Sequence, residues 1–281
     1  MNYLSAENLS KRFGERVLFE NISLGLDQGQ KSALVGVNGC GKSTLLKMLS
    51  GVEPLDSGEV SFRKGLKVSF LEQNPYFSPE ETALSAIFNA EDETLNTIRD
   101  YEMALIRAEE SEEALQKVTD LTVKMDRLNA WDYESQVKQI LGELGIQDFE
   151  QRISTMSGGQ KKRVALAQVL ISKPDLLIMD EPTNHLDLDV IEWLENYMGT
   201  QNMTLLMVTH DRYFLDKVCN EIIEMADGQL YRYKGNYAYF LERKEERALQ
   251  KEAEVDKARN LMRKELDWMR RQPKARTTKA K

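Results

Sequence analysis

Gly36-Val37-Asn38-Gly39-Cys40-Gly41-Lys42-Ser43-Thr44 decides the fold of this 281-residue chain. The apolar run Ala33-Leu34-Val35 precedes it, and Leu45, Leu46, Met48 and Leu49 follow at helical spacing. The nine residues therefore join a strand to a helix, the context in which G-x-x-x-x-G-K-[ST] has meaning. Glycines let successive backbone N–H groups close around a phosphate, and the start of the following helix adds a positive dipole. Lys42 is placed to reach the β- and γ-phosphates of a nucleoside triphosphate such as ATP, and the Ser43 hydroxyl to ligate Mg²⁺. Gly36, Asn38, Gly39, Gly41 and Thr44 complete the loop. Cys40 fills a variable position in it and is given no thiol role.

Upstream, Tyr3 to Leu9, Val17 to Leu24 and Ser32 to Val35 are short apolar runs broken by Gly14, Gly25 and Gly29, a β-rich opening. Leu176-Leu177-Ile178-Met179 and Leu205-Leu206-Met207-Val208 are continuous apolar runs, as expected for strands buried on both faces of a parallel sheet. The first of them ends in Asp180-Glu181-Pro182. A carboxylate there stands at the strand end beside the phosphate loop, where Asp180 would hold Mg²⁺ directly or through water. Glu181 would take a proton from the attacking water. The competing reading, a solvated strand end, leaves two acids next to a buried strand without partners, which is costly.

Met156-Ser157-Gly158-Gly159-Gln160 precedes a helical pattern from Lys161 to Ile171. A serine and two glycines at a helix start make a second phosphate-binding nest. A phosphate loop together with this nest resembles the ATP-binding-cassette superfamily, whose signature motif is Ser-Gly-Gly-Gln; its usual first residue is Leu, and here it is Met156. The resemblance implies an α/β fold, a P-loop nucleotide-binding domain. That domain has a parallel-sheet core, an N-terminal antiparallel β subdomain and a helical subdomain. It also implies that cassettes pair head to tail, so that Ser157, Gly158, Gly159 and Gln160 face a nucleotide held by a second cassette. Gln73, in Phe70-Leu71-Glu72-Gln73-Asn74-Pro75, then matches the Q-loop glutamine that senses Mg²⁺ and water. Asn184-His185-Leu186-Asp187 matches the D-loop, with His185 structural or at the paired interface. His210, in Val208-Thr209-His210-Asp211, matches the switch histidine that contacts the γ-phosphate. Phe13 matches the aromatic that stacks on adenine, with Tyr3 as the second candidate.

Between about residues 91 and 130 the chain changes character. Leu95, Ile98, Met103 and Leu105, then Leu115, Val118, Leu121, Met125 and Leu128, keep helical spacing among acids, and Glu109-Glu110-Ser111-Glu112-Glu113 divides them. This pattern predicts an antiparallel helical hairpin inserted into the α/β body, with Ser111 as the cap of its second helix. After Tyr239 a long charged helix follows, whose apolar stripe thins to Leu249, Val255, Leu261, Met262, Leu266 and Trp268. The division expected is therefore a nucleotide-binding domain over 1–240 and a linker helix over 241–281.

The formal net charge is −8, but ten Lys or Arg against two acids give residues 257–281 a charge of +8 and leave −16 on the remainder. A basic tail on an acidic body fits either a polyanionic partner or a solvated helix end. The acidic arm is a poor candidate for touching RNA phosphates; the tail is a better one. Two distant cysteines, Cys40 and Cys219, make no disulfide framework and suit a reducing, cytoplasmic setting. No apolar run approaches 18 residues, so no membrane insertion is expected.

The arm, Glu181-Pro182-Thr183-Asn184-His185-Leu186-Asp187, the segment Tyr233-Lys234-Gly235-Asn236-Tyr237-Ala238-Tyr239-Phe240 and the basic helix together resemble the F subfamily, the Uup-like group in particular. These are translation factors with two cassettes in one chain, joined by a helical hairpin that reaches into the ribosome. That resemblance implies a first cassette of a longer protein, with ribosomal RNA as a partner of the linker. The alternative is the ATPase subunit of a membrane transporter, which uses the same core chemistry. A DNA-repair cassette requires a longer insert than this one.

Overall fold

Alternation along the buried strands sorts the core into two layers. The computed structural model describes residues 1–88, 93–108 and 112–270. Ser111 and the basic residues Arg271, Lys274, Arg276, Lys279 and Lys281 lie outside the described residues. In strands β6 (Leu176–Asp180) and β7 (Thr204–Val208) every residue is buried. Successive side chains of a strand point to opposite faces. Leu177, Met179, Leu205 and Met207 accordingly enter one apolar layer, and Leu176, Ile178, Leu206 and Val208 the other. Each such side chain contributes about 1.5–3 kcal/mol of burial.

These strands belong to a six-stranded sheet ordered β5-β6-β7-β3-β8-β9, where β3 is Lys31–Gly36, β5 Val68–Leu71, β8 Glu221–Ala226 and β9 Gln229–Lys234. The first five are parallel and β9 is antiparallel to β8. On one face, helix α1 (Lys42–Leu49) buries Leu45, Leu46, Met48 and Leu49 against a three-stranded antiparallel sheet ordered β2-β1-β4. Its strands are β1 Asn2–Phe13, β2 Arg16–Asp27 and β4 Ser57–Phe62. Gly25 does not break β2 as its composition suggests. It sits inside the strand, pairs with Ser5, and its missing side chain leaves room for Asn2 Nδ2 3.3 Å from where a Cβ would stand.

The other face is helical: α2 Ala83–Ile87, α5 Trp131–Glu143, α6 Gly158–Ile171, α7 Leu188–Thr200 and α8 Arg212–Val218. The inserted arm is α3 Glu93–Arg107 and α4 Glu112–Leu128. Lys124 and Arg127, at the end of α4, both lie 3.6 Å from Glu93 at the start of α3, so the two helices run antiparallel. Leu95, Ile98 and Met125 bury the seam, with Tyr101 edge-on to Trp131.

The last element among the described residues is α9, Tyr237–Arg270. Its base is fastened to the sheet. Phe240 is buried, and Lys244 and Arg247 both pair with the buried carboxylate of Glu224 on β8, while Lys251 pairs with Asp227 at 2.6 Å. Beyond Lys251 the helix is exposed through residue 269, including Leu261 and Trp268.

Candidate functional site

The C-terminal ends of the parallel strands gather the motifs at one edge, where ligands of open α/β sheets bind. Gly36 ends β3 in register with Met225, and Asp180 ends β6 opposite Val208 of β7. Strand β7 thus separates the phosphate loop from the acids, and His210 follows β7 by two residues.

Left-handed backbone at Gly39 (φ 76°) and Gly41 (φ 107°) folds the loop back on the start of α1. At φ 107° Gly41 holds a conformation that a side chain strains, and a Cβ there would also press on the Phe19 ring at 3.1 Å. Lys42 is buried in the loop, and its ammonium donates to the carbonyls of Gly36 at 2.9 Å and Val37 at 3.2 Å. A cleft of about 450 Å³ opens there, lined by Phe13, Asn38, Gly39, Gly41, Lys42, Ser43, Thr44, Gln73, Glu181 and His210, with Leu18, Asn184 and Val208. Phe13 is at its mouth because the two-residue turn Gly14-Glu15 brings it beside Arg16. It is 53% exposed, with Lys11 Nζ 5.6 Å from its ring centre. Tyr3 is buried under Arg63 and takes no part in the cleft.

Gly36, Cys40 and Asp180 are not among the lining residues. A Cβ on Gly36 would stand 2.6 Å from the Met225 carbonyl and 2.9 Å from Cys40 Sγ. This glycine lets β3, β8 and the loop pack closely, a role that the phosphate motif alone does not reveal.

Asp180 is 1% exposed, and neither carboxylate oxygen has a hydrogen-bond partner among the described residues. Leaving a buried carboxylate unpaired is expensive. A cation fits that deficit, and the donor set suits Mg²⁺: a carboxylate and the Ser43 hydroxyl, with phosphates and water supplying the rest. Among the described residues no group of three His, Cys, Asp or Glu forms an all-protein metal cage. Glu181 is buried beside it, in left-handed backbone (φ 51°) that costs on the order of 1–2 kcal/mol for a side-chain-bearing residue. Its N–H donates to the Val208 carbonyl at 2.9 Å, which holds that conformation. Its Oε1 is 3.3 Å from His210 Nε2, and Oε2 has no hydrogen-bond partner among the described residues. Burial pushes the Glu181 carboxyl above its ordinary range; the neighbouring His210 opposes the shift, and Asp180 adds to it. A carboxylate so placed, half-paired and raised, is suited to accept a proton.

The second nest does not meet the first within this chain. Ser157, Gly158 and Gln160 are exposed, and none of the four residues Ser157 to Gln160 lines the cleft. Ser157 Oγ accepts from the Gln160 N–H at 3.3 Å and Gln160 Oε1 accepts from the Ser157 N–H at 2.9 Å, a capping box at the head of α6. Arg163, one turn on, pairs with Asp187 of the D-loop, and the His185 carbonyl lies 3.3 Å from where a Gly159 Cβ would be. The nest and the D-loop are thus one surface.

Three residues near the site escape a motif reading. Arg16 donates to the Gly39 carbonyl at 2.9 Å. Leu18 lines the cleft beside Phe13. Lys162, 2% exposed, donates to the carbonyls of Glu72 and Gln73 in the Q-loop and of Asp180. Burial lowers its ammonium to about 8 against the pull of Asp180 and Glu181. The readable signal is its position: Lys162, Ala165, Leu166 and Val169 form one helical stripe, and a charge on an apolar stripe needs a reason.

This fold and this edge define a P-loop ATPase domain of the cassette kind, with α/β core, antiparallel β subdomain and helical arm. A family model described as ABC transporter matches residues 19–184, and a second of the same description matches residues 223–281. The chain belongs to that family. It is 45% identical to an uncharacterized ABC transporter ATP-binding protein, YfmR of Bacillus subtilis, over all of this chain and 45% of that one. It is 34% identical to the energy-dependent translational throttle protein EttA of Mycobacterium tuberculosis, over 98% of this chain and 50% of that one. This likeness is consistent with the F subfamily. The chain spans about half the length of these curated relatives. Among solved structures, an ATP-binding subunit of an ABC transporter matches with a TM-score of 0.62 at 20% identity, over 83% of this chain and 90% of that one. A nucleotide-free ATP-binding cassette from an ABC transporter matches with a TM-score of 0.56 at 22% identity, over 84% and 92%. Domains of this family bind ATP with Mg²⁺ and work as pairs. No described helix is long and apolar enough to cross a membrane.

Proposed function

We propose that this chain is the ATP-hydrolysing cassette of a ribosome-associated translation factor. The observation that carries the reading is α9. It is clamped to the sheet through Glu224, whose register partner on β3 is Val35, one residue before the phosphate loop, and it then runs exposed for nearly twenty residues. A helix rooted so close to the nucleotide cleft and reaching away from the body suits a lever, and the basic residues at its end suit an RNA surface. The throttle protein's name, energy-dependent and translational, supports the same assignment.

In this proposal Phe13 stacks on adenine, and the backbone N–H groups of 38–44 with Lys42 hold the phosphates. Ser43, Asp180 and Gln73 hold Mg²⁺, which when bound neutralises charge on the phosphates. Glu181 takes the proton of the attacking water as it approaches the γ-phosphorus, and His210 donates toward the γ-phosphate while keeping Glu181 in place. Ser157, Gly158 and Gly159, with Gln160 fixing the cap, contribute N–H and hydroxyl groups to the γ-phosphate on a second cassette. Closing that pair would set the angle of α9.

The test is co-sedimentation with ribosomes, with and without ATP, of the chain and of a variant with Arg270, Arg271 and Lys274 reversed to Glu. ATP-dependent binding that the reversal weakens, with a flatter dependence on salt and with ATP affinity intact, is expected. Equal binding by both proteins at moderate salt refutes an RNA-contacting tail. Binding by neither, with ATPase activity stimulated instead by a membrane partner, would assign the chain to a transporter.

A further inference from the structure

Helix α6 carries two consecutive lysines, and Lys162 is the one that turns inward to full burial. Its ammonium has three N–H donors, and three backbone carbonyls take them: Glu72 at 2.9 Å, Gln73 at 3.1 Å and Asp180 at 3.3 Å. Two of these belong to the Q-loop. The sheet ladder ends with β5 at Leu71, and the carbonyls that follow turn to Lys162. The third belongs to the last residue of β6, immediately before Glu181. One side chain therefore ties α6 to two separate segments, the Q-loop that carries Gln73 into the cleft and the end of β6 that carries Asp180 and Glu181.

We propose that Lys162 is a positioning residue for ATP hydrolysis, fastening the Q-loop and the acidic end of β6 to the signature helix so that Gln73 moves with α6. The inference rests on the hydrolytic reading given above and adds a link between paired sites. Ser157 to Gly159 open α6, and Lys162 lies about one turn along it. A helix turn transmits displacement rigidly. When the nest engages a nucleotide on the second cassette, the shift of α6 reaches the Glu72 and Gln73 carbonyls through the ammonium, and so reaches this chain's own cleft. A neutral residue of the same length would fill the space but leave three carbonyls without their donor, and a charge-assisted hydrogen bond is the strong kind. The position calls for the cation, not merely for bulk.

The experiment compares the full chain with Lys162→Met and Lys162→Arg. Steady-state hydrolysis, equilibrium ATP binding, thermal melting and amide exchange over residues 72–77 are measured on each. Lys162→Met is expected to lower kcat on the order of ten- to a hundredfold, as for lost hydrogen bonds to a charged group. Its KM and ATP affinity should stay within about threefold, because the phosphate loop is untouched. Exchange at 72–77 should rise about tenfold in the same variant. Lys162→Arg should recover most of kcat and the protection. Lys162→Gln, which keeps two N–H donors without the charge, takes the place of Met where Met does not fold, with an intermediate loss expected. Parental kcat and parental exchange in Lys162→Met would overturn the proposal. So would equal losses of kcat, ATP affinity and melting temperature in Met and Arg alike, which mark packing alone. If the parent chain hydrolyses no ATP, the hydrolytic reading fails, and the exchange measurement still decides whether Lys162 holds the Q-loop.

Discussion

Replacing Glu181 by Gln isolates the base from the binding site. The amide has the same size, so the buried pocket is kept, and its oxygen can still accept from His210 Nε2, which lies 3.3 Å from Oε1 in the parent. What disappears is the capacity to take a proton. General-base catalysis is worth roughly 10²–10⁴-fold, or about 3–5 kcal/mol on the barrier. ATP affinity should hold or improve, since one negative charge leaves a cleft that receives a polyanion. A second consequence concerns stability in nucleotide-free buffer. Burial raises the Glu181 carboxyl above its ordinary 4.5. For a group raised on folding, the stabilising contribution is full below the unfolded value and is lost as pH rises through the folded one. The Gln variant has no such group. Its melting temperature should therefore gain on the parent's as pH rises from about 4.5 toward neutrality. Single-turnover hydrolysis, equilibrium ATP binding and a pH series of melts on the two proteins supply the three readings. Turnover within about threefold of the parent would refute the role given to Glu181. A parent that gains stability over the variant as pH rises would refute the account of its burial.

Lys42→Ala should abolish detectable ATP binding, because among the described residues no other lysine or arginine lines the cleft; titration calorimetry checks it, and parental affinity would displace Lys42 from the site. Specific ATPase activity of the chain should rise with protein concentration at low concentration, since the nest at Ser157 stands apart from the cleft; a dilution series that stays flat at high activity contradicts a composite site. Alkylation of the native protein should reach Cys40, half-buried in the phosphate loop, and ATP should slow it. Cys219, buried and with its thiol pushed up to about 12, should react only on unfolding; peptide mapping after maleimide treatment distinguishes the two.

Much of the cleft was legible because its chemistry is local. A glycine loop between strand and helix, an acid at the end of an apolar strand and a Ser-Gly-Gly helix start each declare themselves within ten residues. Phe13, Lys42, Ser43, Gln73, Glu181 and His210 do line one cleft. The less legible parts depend on partners far away in the chain. Strand β4 has few apolar residues, and its pairing with β1 rather than its composition makes it a strand. Strand β9, Gln229-Leu230-Tyr231-Arg232-Tyr233-Lys234, mixes apolar and polar residues at the sheet edge, and its antiparallel pairing with β8 brings Tyr233 to Glu224. Gly25 reads as a break and is a strand residue; Gly36 reads as a phosphate ligand and makes close packing against Met225 possible.

Lys162 and Glu224 share a further pattern. Each is a buried charge in an otherwise apolar setting, on α6 and β8 respectively, and each joins an element of the cleft edge to a neighbouring element. Desolvating such charges is unfavourable unless each finds full partnership, and partners at three carbonyls or two cations are available in one arrangement of the chain. Displacing α6 from the Q-loop, or α9 from β8, would leave one of these charges buried and unpaired, whereas sliding an apolar contact would cost far less. The two charges therefore make the junctions stiff where an apolar core would let them slip. The proposed transmission of nucleotide binding through α6 to the Q-loop, and through β8 to α9, needs stiffness at those two junctions.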